Sequence, residues 1–201
     1  MSLLARLTSA QIGLLLINLP CFGQGAGSAT PKSAVLFLQD YVAFYRNEVS
    51  PVKLAEKLAG AWDLEHVARS TFGSDLPDND VQRKTIQDKI ALLFKASLAT
   101  EQAAKVMKQV KASEFCCVML DGKYAVVSFS AATENKAITN MFVLHHTEKG
   151  WRIVDAANST STNTHGLVHA MKSGYQKLRG QMTPERFLDE VLKALVHSAK
   201  K

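Results

Sequence analysis

Apolar positions recur with helical spacing at both ends of the chain and with strand spacing in its middle. Between Ser33 and Glu48 they fall at Val35, Leu38, Val42 and Tyr45, and Phe37, Tyr41 and Phe44 widen the stripe. The spacing predicts an amphipathic helix, ended before Pro51 because a residue preceding proline is driven out of the helical region. A second short helix is expected over Val52–Ala61. A third starts after Asp63, a capping residue, buries Leu64, Val67 and Ala68, and stops at Gly73. Ser74–Asp80 reads as a polar turn. The long helix after it, to about Ala99, aligns Ile86, Ile90, Leu93, Phe94 and Leu98, with Arg83, Lys84, Asp88 and Lys95 mostly on the wet side.

From Val106 the period changes. Val106–Val110, Phe115–Leu120, Tyr124–Ala131, Ile138–His146 and Trp151–Ala156 read as strands, with turn chemistry at Asp121-Gly122 and Lys149-Gly150. Four or five strands in this order predict an antiparallel sheet. The strand from Ala137 to Thr147 is apolar on both faces, with Ile138, Phe142 and Leu144 on one and Met141 and Val143 on the other, so both faces should be covered. Helical spacing returns from about Thr164 to Arg179 and again after Thr183, where Pro184 sits in a first turn and Phe187, Leu188, Val191, Leu192 and Leu195 form a stripe. Helices, antiparallel sheet, then helices define an α+β fold in one domain, the size that 201 residues can bury around one core.

The first residues stand apart from this domain. Met1 to Ala10 carries one charge, Arg6, and an apolar run from Ile12 to Leu19 follows and ends at Pro20. That is the outline of a cleavable export signal, with a cut expected after Gly23, and the run is shorter than the ~20 residues a membrane-spanning helix needs. The folded domain is then 24–201, expected in the periplasm. Glycines 23, 25 and 27 have no strand before them and no helix start close behind, so they make no phosphate loop.

Charge and cysteines change the picture little. Twenty-four basic side chains against 18 acidic give a net charge of +6, spread along the chain, and loss of Arg6 with the leader lowers it by one. A modest positive field favours anionic partners such as lipid headgroups and transient membrane-surface contact. No basic run or glycine-aromatic strand motif points to nucleic acid. Cys116 and Cys117 are adjacent in a strand and point to opposite faces, so two buried thiols are expected; a vicinal disulfide would need a distorted backbone.

Enzymatic chemistry finds weak support. His165 and His169 are four apart on an expected helix, but the glutamate of a zinc-hydrolase helix is missing between them. His145 and His146 point to opposite strand faces and read as a solvated strand end. Asp155 has no nucleophile-elbow serine to serve. No catalytic residue, metal site or cofactor is expected.

Two segments carry a resemblance. Asp63-Leu64-Glu65-His66-Val67-Ala68-Arg69, ending at Phe72-Gly73, resembles the Asp-x-x-x-Ile-Ala-Arg…Leu-Gly element of the toluene-tolerance, or MlaC-like, family of periplasmic phospholipid carriers. Gly150-Trp151-Arg152-Ile153-Val154-Asp155 is similar to that family's Gly-Trp-Lys-Val-Tyr-Asp strand, and the order of elements agrees over residues 33–196. After the Trp strand this chain departs, with Ala156-Ala157-Asn158-Ser159-Thr160-Ser161 where the family has Glu-Gly-Val-Ser, and Lys172-Ser173-Gly174-Tyr175 in place of a Tyr-Arg-Ser-Gln-Phe helix start.

The resemblance implies a non-enzymatic shuttle with phospholipid as cargo, moving it between an inner-membrane ABC-type complex and an outer-membrane lipoprotein complex. At about 0.8 kcal/mol per buried CH₂, two tails of roughly fifteen carbons lose on the order of 20 kcal/mol in water, so a deep apolar cavity between sheet and helices is expected. The candidate walls are Phe37, Tyr41, Phe44, Phe94, Leu98, Val126, Met141, Val143 and Val154. Two other classes compete. An envelope interaction protein with a filled cavity would show a packed interior and an exposed apolar patch. A hydrolytic or metal enzyme would bring His165, His169 and an acidic residue into one cleft.

Overall fold

A computed structural model describes residues 29–47, 51–98, 111–133, 136–159 and 166–198. Helix α1 (Pro31–Asn47) begins with a reciprocal cap. Thr30 Oγ1 accepts from the Ser33 N–H at 3.1 Å, Ser33 Oγ accepts from the Thr30 N–H at 3.1 Å, and Pro31 fills the first turn. Helix α2 (Pro51–Gly60) follows. Asp63 caps α3 (Leu64–Phe72) through Oδ1, which accepts from the His66 N–H at 3.0 Å, and Gly73 closes it at φ 57°, where glycine avoids the Cβ penalty. A 3-10 turn (Gly73–Asp75) leads to α4 (Asp80–Leu98), whose first turn is capped by Asn79 Oδ1 accepting from the N–H groups of Val81 and Gln82.

Four strands, β1 (Lys111–Met119), β2 (Tyr124–Thr133), β3 (Lys136–Thr147) and β4 (Gly150–Ser159), form an antiparallel sheet in sequence order. The expected strand over Val106–Val110 lies outside the described residues. The Asp121-Gly122 connection is longer than the two-residue turn expected: Leu120 donates to the Tyr124 carbonyl, Asp121 Oδ1 accepts from the N–H of Lys123 and Tyr124, and Gly122 has φ 79°. Glu148-Lys149 makes the tight turn before Gly150, at φ 87°. Helices α5 (Leu167–Gln176) and α6 (Pro184–Ser198) complete the α+β order.

Pairing fixes the two faces of the sheet. Ala125, Val127 and Phe129 of β2 lie opposite or beside Leu144 and Phe142 of β3, and α1 packs on this face, with Tyr41 edge-on to Phe142 at 5.9 Å. Phe115, Phe129 and Phe142 stack in series across β1, β2 and β3. Leu38, Val127, Leu144 and Ile153 are fully buried, so the layer between α1 and the sheet is filled. The short segment Ala61–Asp63 joins the β4 edge as a parallel bridge at Trp62, through Asp63 N–H to Ile153 O and Ile153 N–H to Ala61 O, both 2.9 Å. Beyond that edge α4 packs on α2, α3 and α6, with a Lys89–Asp189 ion pair across α4 and α6 and an edge-to-face cluster of Phe72, Tyr175 and Phe187.

A bulge in β4 decides where one acidic side chain goes. Val143 pairs with Asp155 while Leu144 pairs with Ile153, so Val154 is the extra residue. Asp155 therefore leaves the face of Ile153 and joins that of Val143. There its Oδ1 accepts from the Val168 N–H at 3.0 Å and caps α5 from a different element, burial raising its pKa against the pull of those N–H groups. Among the described residues no helix is long and apolar enough to cross a membrane.

Candidate functional site

Phe37, Tyr41 and Phe44 are spaced four and three apart on α1 and share one helical face. All three are half-buried and line a cleft of about 480 Å³ with Asp40, Lys57, Gly60, Ala61 and Arg152. The aromatic rings form its apolar wall. Lys57 Nζ lies 4.1 Å above the Phe44 ring, a cation–π contact that ties α2 to α1, and the Arg152 guanidinium donates to the Trp151 carbonyl at 2.9 Å. The charged groups at the rim are two cations and one carboxylate.

A second cleft of about 520 Å³ meets the first at Gly60 and Arg152. Its lining is more polar, including Asp63, Glu65, Gln87, Glu148 and Lys149 beside Trp62 and Leu64. Each cleft lies within the roughly 300–1,000 Å³ range of small-ligand sites, and both open to solvent. The joined arrangement has an aromatic end between α1 and α2 and a charged end where β4 meets the turns around it.

The other candidate walls lie elsewhere. Phe94 is buried, its ring 4.4 Å from that of Trp62, and Val154 is buried in the β4 bulge. Val126 and Val143 are directly paired, with Met141 two residues along β3, and all three are half-buried on the sheet face opposite α1. The Leu98 side chain lies outside the described residues. The structure thus brings Phe37, Tyr41 and Phe44 into one cleft, sets Val126, Met141 and Val143 together on the other side of the sheet, and assigns Phe94 to the core. Periodicity identified which residues share a helix face, but not which face is left partly open.

Two expectations need correction. Cys116 is exposed on the sheet face opposite α1, while Cys117 is half-buried on the α1 face beside its partner Val127, and neither is in a disulfide. His145 is no solvated strand end: it is half-buried, stacked on Tyr124 at 4.5 Å and 10°, with Nδ1 3.2 Å from Asp63 Oδ2. His146 turns to the other face and meets Trp151 edge-on at 4.9 Å. His165 lies outside the described residues, and exposed His169 on α5 does not belong to the acidic and histidine cluster that the fold forms at Asp63.

With this geometry in place, the fold matches a solved structure of a phospholipid-binding protein from Ralstonia solanacearum in complex with a phospholipid. The match has a TM-score of 0.62 and 15% sequence identity, and covers 85% of this chain and 99% of that one. At that identity the likeness establishes a shared four-stranded α+β fold. No family model and no curated protein sequence matches the chain.

Proposed function

We propose that this protein binds a phospholipid and carries it, without catalysis or cofactor, between membranes. The observation that carries the reading is the aromatic face of Phe37, Tyr41 and Phe44 opening into a cleft rimmed by Lys57 and Arg152, in a fold shared with a protein that holds a phospholipid. Acyl chains suit the aromatic end, where each buried CH₂ contributes about 0.8 kcal/mol. The phosphate suits Arg152 and Lys149 at the charged end. A diacyl lipid is large for one cleft of about 480 Å³, so the proposed site includes the adjoining cleft through Gly60 and Arg152.

The export-signal pattern of residues 1–23 supports a periplasmic location, and the two resembling motifs support delivery between an inner-membrane ABC-type complex and an outer-membrane lipoprotein complex. Phe94 and Val154 remain in the proposal only as walls that a lipid would reach by displacing packed side chains, Val126, Met141 and Val143 only as walls on the opposite face of the sheet, and Leu98 only through its place in the α4 stripe. Transfer of labelled phospholipid from vesicles to the protein tests the reading: the protein is expected to take up lipid, and Phe37→Asp to abolish uptake with the fold intact. Equal uptake by Phe37→Asp would remove the α1 face from the site.

Two observations favour a second reading, an envelope interaction protein of the same fold: the layer between α1 and the sheet is filled, and the end of β1 carries exposed apolar side chains. Val118 and Leu120, at the end of β1, are 44% and 60% exposed. Failure of lipid uptake, together with loss of a partner on Val118→Lys, would favour it.

A further inference from the structure

Asp63, His66 and His145 converge from two elements that are 82 residues apart in sequence at the Asp63–His145 contact. One ligand atom from each, a carboxylate oxygen and two imidazole nitrogens, lies within 4.8 Å of the others, and all three residues are half-buried. The geometry points to a divalent transition-metal site here, of the two-histidine, one-carboxylate type, suited to Zn²⁺.

Side-chain roles in the cluster are already divided. Asp63 Oδ1 is occupied by the His66 N–H at the start of α3, which fixes the carboxylate plane, while Oδ2 faces His145 Nδ1 at 3.2 Å. The His145 ring is held by stacking on Tyr124, and the His66 ring lies 5.8 Å from that of His145 and 6.0 Å from that of Tyr124. Such outer contacts preset the ligands before a metal arrives. Zinc bonds of about 2.0–2.2 Å place tetrahedral ligand atoms roughly 3.4 Å apart. The three ligand atoms lie within 4.8 Å of one another as they stand, so binding a metal draws them together toward that value.

Three protein ligands leave a fourth position, the pattern of zinc sites that keep water or an exogenous ligand. Asp63 also lines the polar cleft, so the open position has a route to solvent. Imidazole and carboxylate together suit zinc, copper, nickel or iron(II) better than calcium or magnesium, which prefer all-oxygen shells. The assignment stands on side-chain geometry alone and does not rest on the lipid reading, although Asp63 lines the cleft that both use.

The test uses Zn²⁺ alone. Equilibrium dialysis against Zn²⁺, with bound metal counted per chain, should give one zinc in the wild type. Co²⁺ in its place should give the visible d–d bands of a four-coordinate site. His66→Ala and His145→Gln should each weaken affinity by about tenfold or more, while His169→Ala, on α5, should leave it unchanged. Asp63→Asn keeps the oxygen that caps α3 and should weaken zinc binding without unfolding the helix, as circular dichroism would report. Absence of stoichiometric zinc, undiminished binding in all of the His66, His145 and Asp63 variants, or loss of binding in His169→Ala would overturn the assignment.

Discussion

The indole N–H of Trp151 donates to Ser33 Oγ at 2.9 Å and so ties β4 to the first turn of α1. Ser33 Oγ is also the oxygen that caps α1 by accepting from Thr30 N–H, and it donates to the Thr30 carbonyl at 2.9 Å. One hydroxyl thus fixes the start of the helix that carries Phe37, Tyr41 and Phe44. Trp151 is itself 5% exposed, so its N–H has little access to water. Ser33→Ala removes the acceptor and is expected to cost about 1–3 kcal/mol in urea unfolding, the range for a buried donor left unpaired. Trp151→Phe in the Ser33→Ala background should cost much less than the two changes added, because the unpaired N–H is gone.

Gly166, before α5, has no room for a side chain. A Cβ there would stand 2.0 Å from Asp155 Oδ2. Gly166→Ala must displace the carboxylate that caps α5, and a loss of about 1–3 kcal/mol is expected from the overpacking. Asp155→Ala removes the obstacle along with the cap. The double variant should therefore be more stable than the sum of the single losses, a coupling measurable in a double-mutant cycle.

The contact between the 3-10 turn and α5 has a definite pH signature. Arg179 donates to Asp75 Oδ1 at 2.7 Å and holds its carboxyl below the usual 3.8, and the Tyr175 hydroxyl donates to Oδ2 at 3.0 Å. A lowered carboxyl pKa gives stability that is full above 3.8 and is lost as pH falls through the folded value. Burial, with the Asp75 hydrogen bond, pushes the Tyr175 phenol up to about 12. Its contribution is present below 10.0 and is lost as pH rises from 10.0 through about 12. Thermal unfolding should show Arg179→Gln less stable than wild type at neutral pH, with the gap closing in acid. Tyr175→Phe should lose part of the alkaline limb above pH 10. A gap for Arg179→Gln that stays constant into acid would contradict this linkage.

Gly60 marks the junction of the two clefts, and a Cβ there would meet no atom within 4 Å. Gly60 is the last residue of α2, so Gly60→Ala is expected to raise stability by well under the ~1 kcal/mol that glycine costs in a helix interior. Gly60→Trp fills the junction. It should fold as well as wild type and lower phospholipid uptake severalfold, a separation of folding from binding visible in parallel melts and vesicle assays.

Much of the fold was legible because its signals are local. Asp63 and Gly73 bracket α3 as cap chemistry requires, Pro184 opens α6, and the alternation of Met141 and Val143 against Phe142 and Leu144 fixes the two faces of β3. The site was less legible because it depends on distant placements. Phe37, Tyr41 and Phe44 were recognisable as one stripe, but the same stripe is equally compatible with burial, and only the position of α2 leaves it open. Asp155 belonged to a recognisable strand motif, yet its role as a remote cap arises from the bulge at Val154. Alternation sets His145 and His146 on opposite faces of β3, as found, but reads both as solvated. Nothing local indicated that Asp63 and His66, 82 and 79 residues earlier in the numbering, would cover His145.

The most direct measurement is native mass spectrometry of the protein purified without detergent, followed by solvent extraction and identification of released lipid. One phospholipid per chain is expected in the wild type, and its loss in Phe37→Asp and Gly60→Trp, both still folded. Protein that carries no phospholipid as purified, and takes none from phosphatidylethanolamine and phosphatidylglycerol vesicles, would contradict the proposed phospholipid binding.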